Sequence, residues 1–215
     1  MSAPEVTVID YGVGNLLSVQ RGLEKCGARV VLTSDPNTIL NSSRVVLPGV
    51  GAFPDAMKAL ERLNLVTTLQ EFATKKQPLL AICLGMQLLM NESDEFGLTS
   101  GLGLIGGRVE MLPTLKITGE MQKIPHIGWS SLEPSTPNLS WRQTLLSDNN
   151  YGDSAYFLHS FAAYPINEHN RIADVDFGGH RISAVIAKDK ITGCQFHPEK
   201  SGEVGLKILR RFCFD

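Results

Sequence analysis

Pro78 is followed by four consecutive apolar residues, Leu79-Leu80-Ala81-Ile82, and then by Cys83. A strand with no polar alternation has to be covered on both faces, which is the condition of a central parallel strand in an α/β sheet. The apolar stretch runs on to Met90 but is interrupted by Gly85 and Gln87, and it is too short to span a bilayer. The residues before it follow the same grammar. Glu5-Val6-Thr7-Val8-Ile9 is a β-branched run that ends in the glycine-bearing turn Tyr11-Gly12-Val13-Gly14. Asn15 can cap a helix with Leu16, Val19 and Leu23 at helical spacing, ending near Gly27. Val30-Val31-Leu32 and Val45-Val46-Leu47 read as two more strands, and a helix opens at Pro54 or Asp55 and runs through Ala59 and Leu63. Strands alternating with helices predict an open α/β sheet, with ligands outside the carboxyl ends of its strands.

Beyond Gly101 the character changes. Glycines, prolines and short β-rich runs dominate: residues 108–111, 156–158, 181–187 and 191–196. These predict antiparallel strands added to the sheet. Residues 134–153, rich in Ser, Asn and Pro, read as a surface loop, and residues 203–212 as a final helix with Val204, Ile208 and Leu209 on one face. The expected architecture is therefore a three-layer α/β fold. Its open mixed sheet is mostly parallel in the first half, with antiparallel additions. No internal repeat or linker breaks the 215 residues, so one domain over residues 1–215 is expected.

A 43% hydrophobic share supplies a core and excludes global disorder. Twenty basic against 22 acidic side chains give a net charge of −2, with no basic cluster to grip nucleic acid or a membrane surface. Met1-Ser2-Ala3-Pro4-Glu5 lacks the basic and long apolar regions of a signal peptide, so the expected location is the cytoplasm. Cysteines stand at 26, 83, 194 and 213 without a CxxC pair or zinc-ligand spacing. Neither a disulfide framework nor a metal is expected.

Cys83 holds the most informative position. It ends an apolar strand and precedes Leu84-Gly85-Met86-Gln87, a plausible helix start. That is the elbow of a nucleophile on a strand-to-helix turn, with Ala81 where the first small residue is often glycine. A helix start aims amide hydrogens at the sulfur and favours thiolate. The local pattern fits a buried core cysteine equally well. His197 adds weight, because Pro198 would stiffen the turn so that Glu199 folds back on the imidazole and leaves its other nitrogen for a thiol. Pro48-Gly49-Val50-Gly51 offers a third component, a peptide at Val50 free to turn an N–H toward an oxyanion, with the Leu84 amide as second donor. On its own it is more readily a glycine-rich turn after a strand. Gly12-Val13-Gly14-Asn15 lacks the third glycine and the downstream acid of a dinucleotide site.

Three segments together, Pro48-Gly49-Val50-Gly51-Ala52-Phe53, Ile82-Cys83-Leu84-Gly85-Met86-Gln87 and Gln195-Phe196-His197-Pro198-Glu199-Lys200-Ser201, resemble the class I glutamine amidotransferases, whose fold is flavodoxin-like. Asp10-Tyr11-Gly12-Val13-Gly14-Asn15, Pro125-His126-Ile127-Gly128-Trp129 and Tyr156-Phe157-Leu158-His159-Ser160-Phe161 narrow the resemblance. They are similar to the glutaminase subunits of imidazole glycerol phosphate synthases, in matching order from about residue 5 to residue 212. Ser130 departs from the asparagine usual there, and Phe161 from a frequent tyrosine.

The resemblance implies that Cys83 attacks the carboxamide of L-glutamine, with His197 as acid and base and Glu199 orienting it. The Val50 and Leu84 amides would hold the oxyanion. Gly49, Gly51, Gln87, Glu95 and the segment His159, Ser160, Phe161 would hold the glutamine. For Glu95, in Glu92-Ser93-Asp94-Glu95, a solvated charge is the plainer reading. The resemblance implies no cofactor. It implies a heterodimer with a (β/α)8 cyclase subunit that consumes the ammonia, with Trp129 and Tyr156 near the interface. Three alternatives stay open: a sugar-amidating partner, a cysteine peptidase or deglycase-like protein, and a non-catalytic binding module. Leu84 stands where the peptidase-like proteins usually carry histidine.

Overall fold

The computed structural model describes residues 3–137 and 139–214. Its first half alternates as the sequence predicts: β1 (Glu5–Ile9), α1 (Leu16–Lys25), β2 (Arg29–Thr33), α2 (Pro36–Leu40), β3 (Val45–Gly49), α3 (Phe53–Arg62), α4 (Leu65–Thr74), β4 (Leu79–Cys83) and α5 (Leu84–Leu88). Asn15 caps α1 by accepting from the Ser18 amide, and Gly27 leaves the helix in the left-handed region at φ 91°. Helices α2 and α4 have no counterpart in the sequence reading. The first is one short turn opened by Asp35 and Pro36, and the second follows α3 after only two residues.

The second half supplies β5 (Glu92–Ser93), β6 (Thr99–Ser100), β7 (Gly107–Met111), β8 (His126–Ser131), β9 (Glu133–Pro134), β10 (Ser154–His159), β11 (Phe161–Pro165), β12 (Arg171–Phe177), β13 (His180–Lys188), β14 (Ile191–Cys194) and α6 (Gly202–Phe214). The main sheet has the order β2-β1-β3-β4-β14-β13-β12-β9. Its first five strands are parallel and the last three are added antiparallel.

Two expectations need correction. Residues 191–196 do not add an antiparallel neighbour to β4, because β14 pairs parallel with it, Cys194 opposite Ile82. Residues 108–111 and 156–158 do not join the main sheet at all. β7 belongs to a four-stranded sheet, β11-β7-β5-β6, and β10 pairs with β8 in a two-stranded ribbon. Period-2 alternation marks a strand but is silent about its neighbour. Residues 135–153 carry no helix or strand among those described, yet Trp141 and Leu146 from this loop are buried in the core.

β4 shows why the layers form. Leu80 and Ile82 face one apolar cluster with α1 and α6 residues such as Val19, Leu23, Ile208 and Leu209. Leu79 and Ala81 face the other, with Phe53, Leu60, Leu69 and Phe72 of α3 and α4. Each large side chain buried this way contributes about 1.5–3 kcal/mol, so the uninterrupted apolar run is what a strand between two helical layers requires. No helix among the described residues is long and apolar enough to cross a membrane.

Candidate active site

The register of three neighbouring strands assembles the site. Gly49 at the end of β3 lies opposite Cys83 at the end of β4, and Cys194 of β14 lies opposite Ile82. The next residues of all three strands therefore emerge together: Val50 and Gly51, Leu84, and the turn that carries His197.

Cys83 adopts φ 56°, ψ −113°, a left-handed region that costs a non-glycine residue about 1–3 kcal/mol. The surroundings enforce it. A Cβ on Gly85 would stand 2.1 Å from the Leu47 carbonyl oxygen, so the first turn of α5 rests directly on β3 and the chain must bend sharply at Cys83. Gly49 is equally confined, because its Cβ would meet the Gly85 amide and the Tyr11 hydroxyl at 2.9 Å.

His197 Nδ1 lies 2.8 Å from Glu199 Oε1, and both side chains are buried. The His197 amide donates to the Tyr156 carbonyl at 3.0 Å. Ser201 Oγ accepts from the Tyr156 amide and donates to the His197 carbonyl, so the turn is tied to β10 at both ends. With Nδ1 taken by the carboxylate, Nε2 is the nitrogen left for the Cys83 thiol, which lines the same cavity as the ring. Burial on its own pushes the His197 pKa down. The hydrogen bonds with Cys83 and Glu199, and their charges, outweigh it and raise the value to about 9. The ring is thus an imidazolium at neutral pH, poised beside a sulfur nucleophile. The other three cysteines are free and buried; burial pushes Cys194 and Cys213 up to about 12, which leaves them poor nucleophiles.

A cavity of about 240 Å³ opens over Cys83. It brings together Val50, Gly51, Leu84, Gln87, Glu95, His159, Ser160, Phe161 and His197 from five separate stretches of the sequence, with Gly49 beneath the loop and Glu199 behind the imidazole. Glu95 is not a merely solvated charge. It is partly buried, its carboxylate accepts from the Phe53 amide at 2.8 Å, and burial raises its pKa. Gln87 spends Nε2 on the Phe161 carbonyl at 2.8 Å and on Gln195 Oε1 at 3.1 Å, which leaves an acceptor as the group it can offer a ligand. Trp129 and Tyr156 face each other across the β8–β10 ribbon, ring centroids 6.1 Å apart, and Trp129 is 58% exposed.

Several residues in the site have no assigned role in the sequence reading. Gln195 Nε2 reaches Cys83 Sγ at 3.9 Å, and Tyr11 donates to the Pro48 carbonyl at 2.8 Å. His126 Nδ1 meets His159 Nε2 at 3.1 Å. All three lie in segments that carry the family resemblance, and that was the signal available. A larger cavity of about 350 Å³ at the opposite end of β4 is lined by Pro78, Lys190 and Arg142 among others and contains none of the predicted site residues.

A sequence model of the glutamine amidotransferase class-I family matches residues 7–215. The chain belongs to that family. As a class-I glutamine amidotransferase it is an enzyme, and the strained cysteine and the histidine line one cleft with the glutamate behind the imidazole. It is 49% identical to "Imidazole glycerol phosphate synthase subunit HisH 1" of Legionella pneumophila (strain Lens), over 96% of this chain and 97% of that one. It is 44% identical to the subunit HisH of Geobacter metallireducens, over 96% of each chain. Such identities over nearly full length place it in the HisH branch of the amidotransferases. The fold is also that of the solved PurLQS structure from Thermotoga maritima, with a TM-score of 0.73 at 18% identity over 98% of this chain and 97% of that one.

Proposed function

We propose that the chain is one glutaminase domain that hydrolyses L-glutamine and supplies the ammonia to an imidazole glycerol phosphate-forming cyclase in histidine biosynthesis. The observation that carries this reading is the convergence of Cys83, held at φ 56°, with the buried His197–Glu199 pair at the ends of adjacent parallel strands. The HisH branch favours the histidine pathway over a sugar-amidating partner, and Leu84 argues against a peptidase-like reaction.

In this mechanism the Cys83 sulfur forms a bond to the carboxamide carbon of glutamine. The oxyanion is held by the amides of Val50 and Leu84, which leave β3 and β4 side by side. His197 gives its proton to the nitrogen, the C–N bond breaks, and ammonia departs from a glutamyl thioester. The now neutral imidazole takes a proton from water, whose hydroxide adds to the thioester; the C–S bond breaks, glutamate forms and the sulfur leaves as a thiolate beside the restored imidazolium. Glu199 keeps the ring in the productive tautomer. Gln87, Glu95 and the 159–161 segment hold the substrate, with the Glu95 carboxylate available to its ammonium.

Ammonia becomes ammonium in neutral water and ceases to be a nucleophile, so it needs a closed route to its acceptor. In this reading the chain supplies the glutaminase site, and a subunit of (β/α)8 fold supplies the synthase site. The exposed face of the β8–β10 ribbon, with Trp129 and Tyr156, is the surface for that partner. Val50 is 41% exposed beside Gly51 at φ 103°, and its peptide is the element to flip when the acceptor ligand binds. The chemistry needs no cofactor and belongs in the cytoplasm, where four free thiols stay reduced.

The test is ammonia release from glutamine by the purified chain, alone and with a cyclase subunit and its ribonucleotide ligand. Strong stimulation that Cys83→Ala abolishes is the expected result. Release that survives Cys83→Ala would refute the mechanism, and Cys83-dependent release indifferent to the cyclase would move the partner to another pathway.

A further inference from the structure

Four polar groups stand in series beneath the cavity. Ser130 Oγ lies 2.9 Å from His126 Nε2, His126 Nδ1 lies 3.1 Å from His159 Nε2, and His159 Nδ1 lies 2.9 Å from the Phe161 carbonyl oxygen. The last acceptor decides the direction of the whole chain. A carbonyl has no proton to give, so His159 Nδ1 carries a hydrogen. Burial keeps the His159 ring neutral, with its pKa pushed down to about 3, so its Nε2 accepts. His126 Nδ1 must then donate. Burial lowers the pKa of His126 as well, and its Nε2 accepts from the Ser130 hydroxyl. Both rings are thereby held as Nδ1–H tautomers. Phe157 stacks on His126, centroids 4.9 Å apart and planes 17° from parallel, and covers one face of the ring.

Neither His126 nor Ser130 lines the cavity. What gives the series a purpose is its end point. The Phe161 carbonyl also accepts from Gln87 Nε2, so its two lone pairs are filled by two donors. Gln87 is linked onward through Gln195 to the Cys83 sulfur. The Phe161 oxygen is therefore the junction between the ribbon and the nucleophile.

We propose that Ser130 and His126 are positioning residues for the glutamine site: in the tautomers that the Phe161 carbonyl imposes, they hold the His159 N–H on that carbonyl, keep it saturated and so fix the orientation in which Gln87 meets the substrate. This rests on the glutaminase reading above. With the opposite tautomer His159 would turn a lone pair toward the Phe161 oxygen, and the segment 159–161 would move away from it. The setting begins beside Trp129, on the ribbon assigned to the partner. A hydroxyl at position 130 can donate to His126, an asparagine amide can donate in its place, and an alanine cannot.

Ring nitrogen-15 NMR of the full chain and glutaminase kinetics of its complex with the cyclase and ribonucleotide ligand test this together. The wild type should show His126 and His159 as neutral Nδ1–H tautomers near neutral pH. Ser130→Ala should leave His126 Nε2 without its donor, shift the signal of that nitrogen and raise KM for glutamine about fivefold, the equivalent of one lost hydrogen bond, with kcat changed by less than about twofold. Ser130→Asn should restore both readouts. An Nε2–H tautomer at either histidine of the wild type would overturn the proposal. So would a Ser130→Ala variant with a shifted His126 Nε2 signal and unchanged KM, or one that merely unfolds more easily. A wild-type complex that releases no ammonia would sink the glutaminase reading and the KM claim with it, while the tautomers would still be read independently.

Discussion

The Tyr11 hydroxyl, carried by the turn after β1, donates to the carbonyl oxygen of Pro48 at 2.8 Å and so clamps the beginning of the loop that ends at Gly51. Tyr11 is buried, whereas Val50 two residues beyond the clamp is largely exposed. The loop is anchored at Pro48 while Val50 within it is exposed, as a peptide that must reorient requires.

Replacing Tyr11 by phenylalanine keeps the ring and leaves the Pro48 carbonyl without its donor. Unfolding stability should drop by about 1–2 kcal/mol in urea titrations. The loosened loop should also raise basal ammonia release and narrow the gap between basal and ligand-stimulated rates. An unchanged ratio would show that the clamp restrains nothing used in gating.

Gly85→Ala would place a methyl group 2.1 Å from the Leu47 carbonyl oxygen, a backbone atom with no slack. The elbow has to open, and the expected cost is more than about 2 kcal/mol, together with loss of Cys83 alkylation by a glutamine-like electrophile. Labelling at the wild-type rate would mean that the tight contact between α5 and β3 does not set the thiol.

The raised pKa of His197 links protonation to stability. A group whose folded value, about 9, lies above its unfolded value of 6.5 stabilises the fold fully below the lower figure, and that contribution fades as pH rises through the higher one. The wild type should therefore lose stability relative to Cys83→Ala between those limits, since the substitution removes one partner of the imidazolium. Glu199→Gln should lower the NMR titration midpoint of His197 and cut glutaminase kcat by at least about a hundredfold. Parallel stability–pH curves for wild type and Cys83→Ala would contradict the coupling.

Glu95→Gln retains an oxygen to accept from the Phe53 amide, so α3 should stay capped and stability should change by less than about 1 kcal/mol. The lost charge should appear as a rise in KM for glutamine of about tenfold, with a smaller effect on kcat. A fall in kcat at constant KM would assign Glu95 to the reaction step instead of to substrate binding.

Local patterns single out Cys83, His197 and Glu199 as candidates, because the strand end, the following helix and the stiff proline turn all lie within a few residues of each chemical group. The parallel half of the sheet is readable for the same reason, each strand being bounded by its own turn residues. The histidine pair is another matter. His126 and His159 are 33 positions apart and meet only because the β8–β10 register sets them opposite each other. Likewise nothing in residues 108–111 tells that β7 leaves the main sheet for a smaller one. Partner choice between strands depends on surfaces that exist only after the rest has packed.

The parallel pairing of β4 with β14 joins residues more than a hundred positions apart. A growing polypeptide completes β1 to β4, and the bend at Cys83, long before its histidine is synthesised. Until β14 slides in beside β4, the sulfur has neither an imidazolium neighbour nor a covering ribbon. Competence is thus conferred by the last long-range closure of the fold, and a stalled or half-folded chain consumes no glutamine.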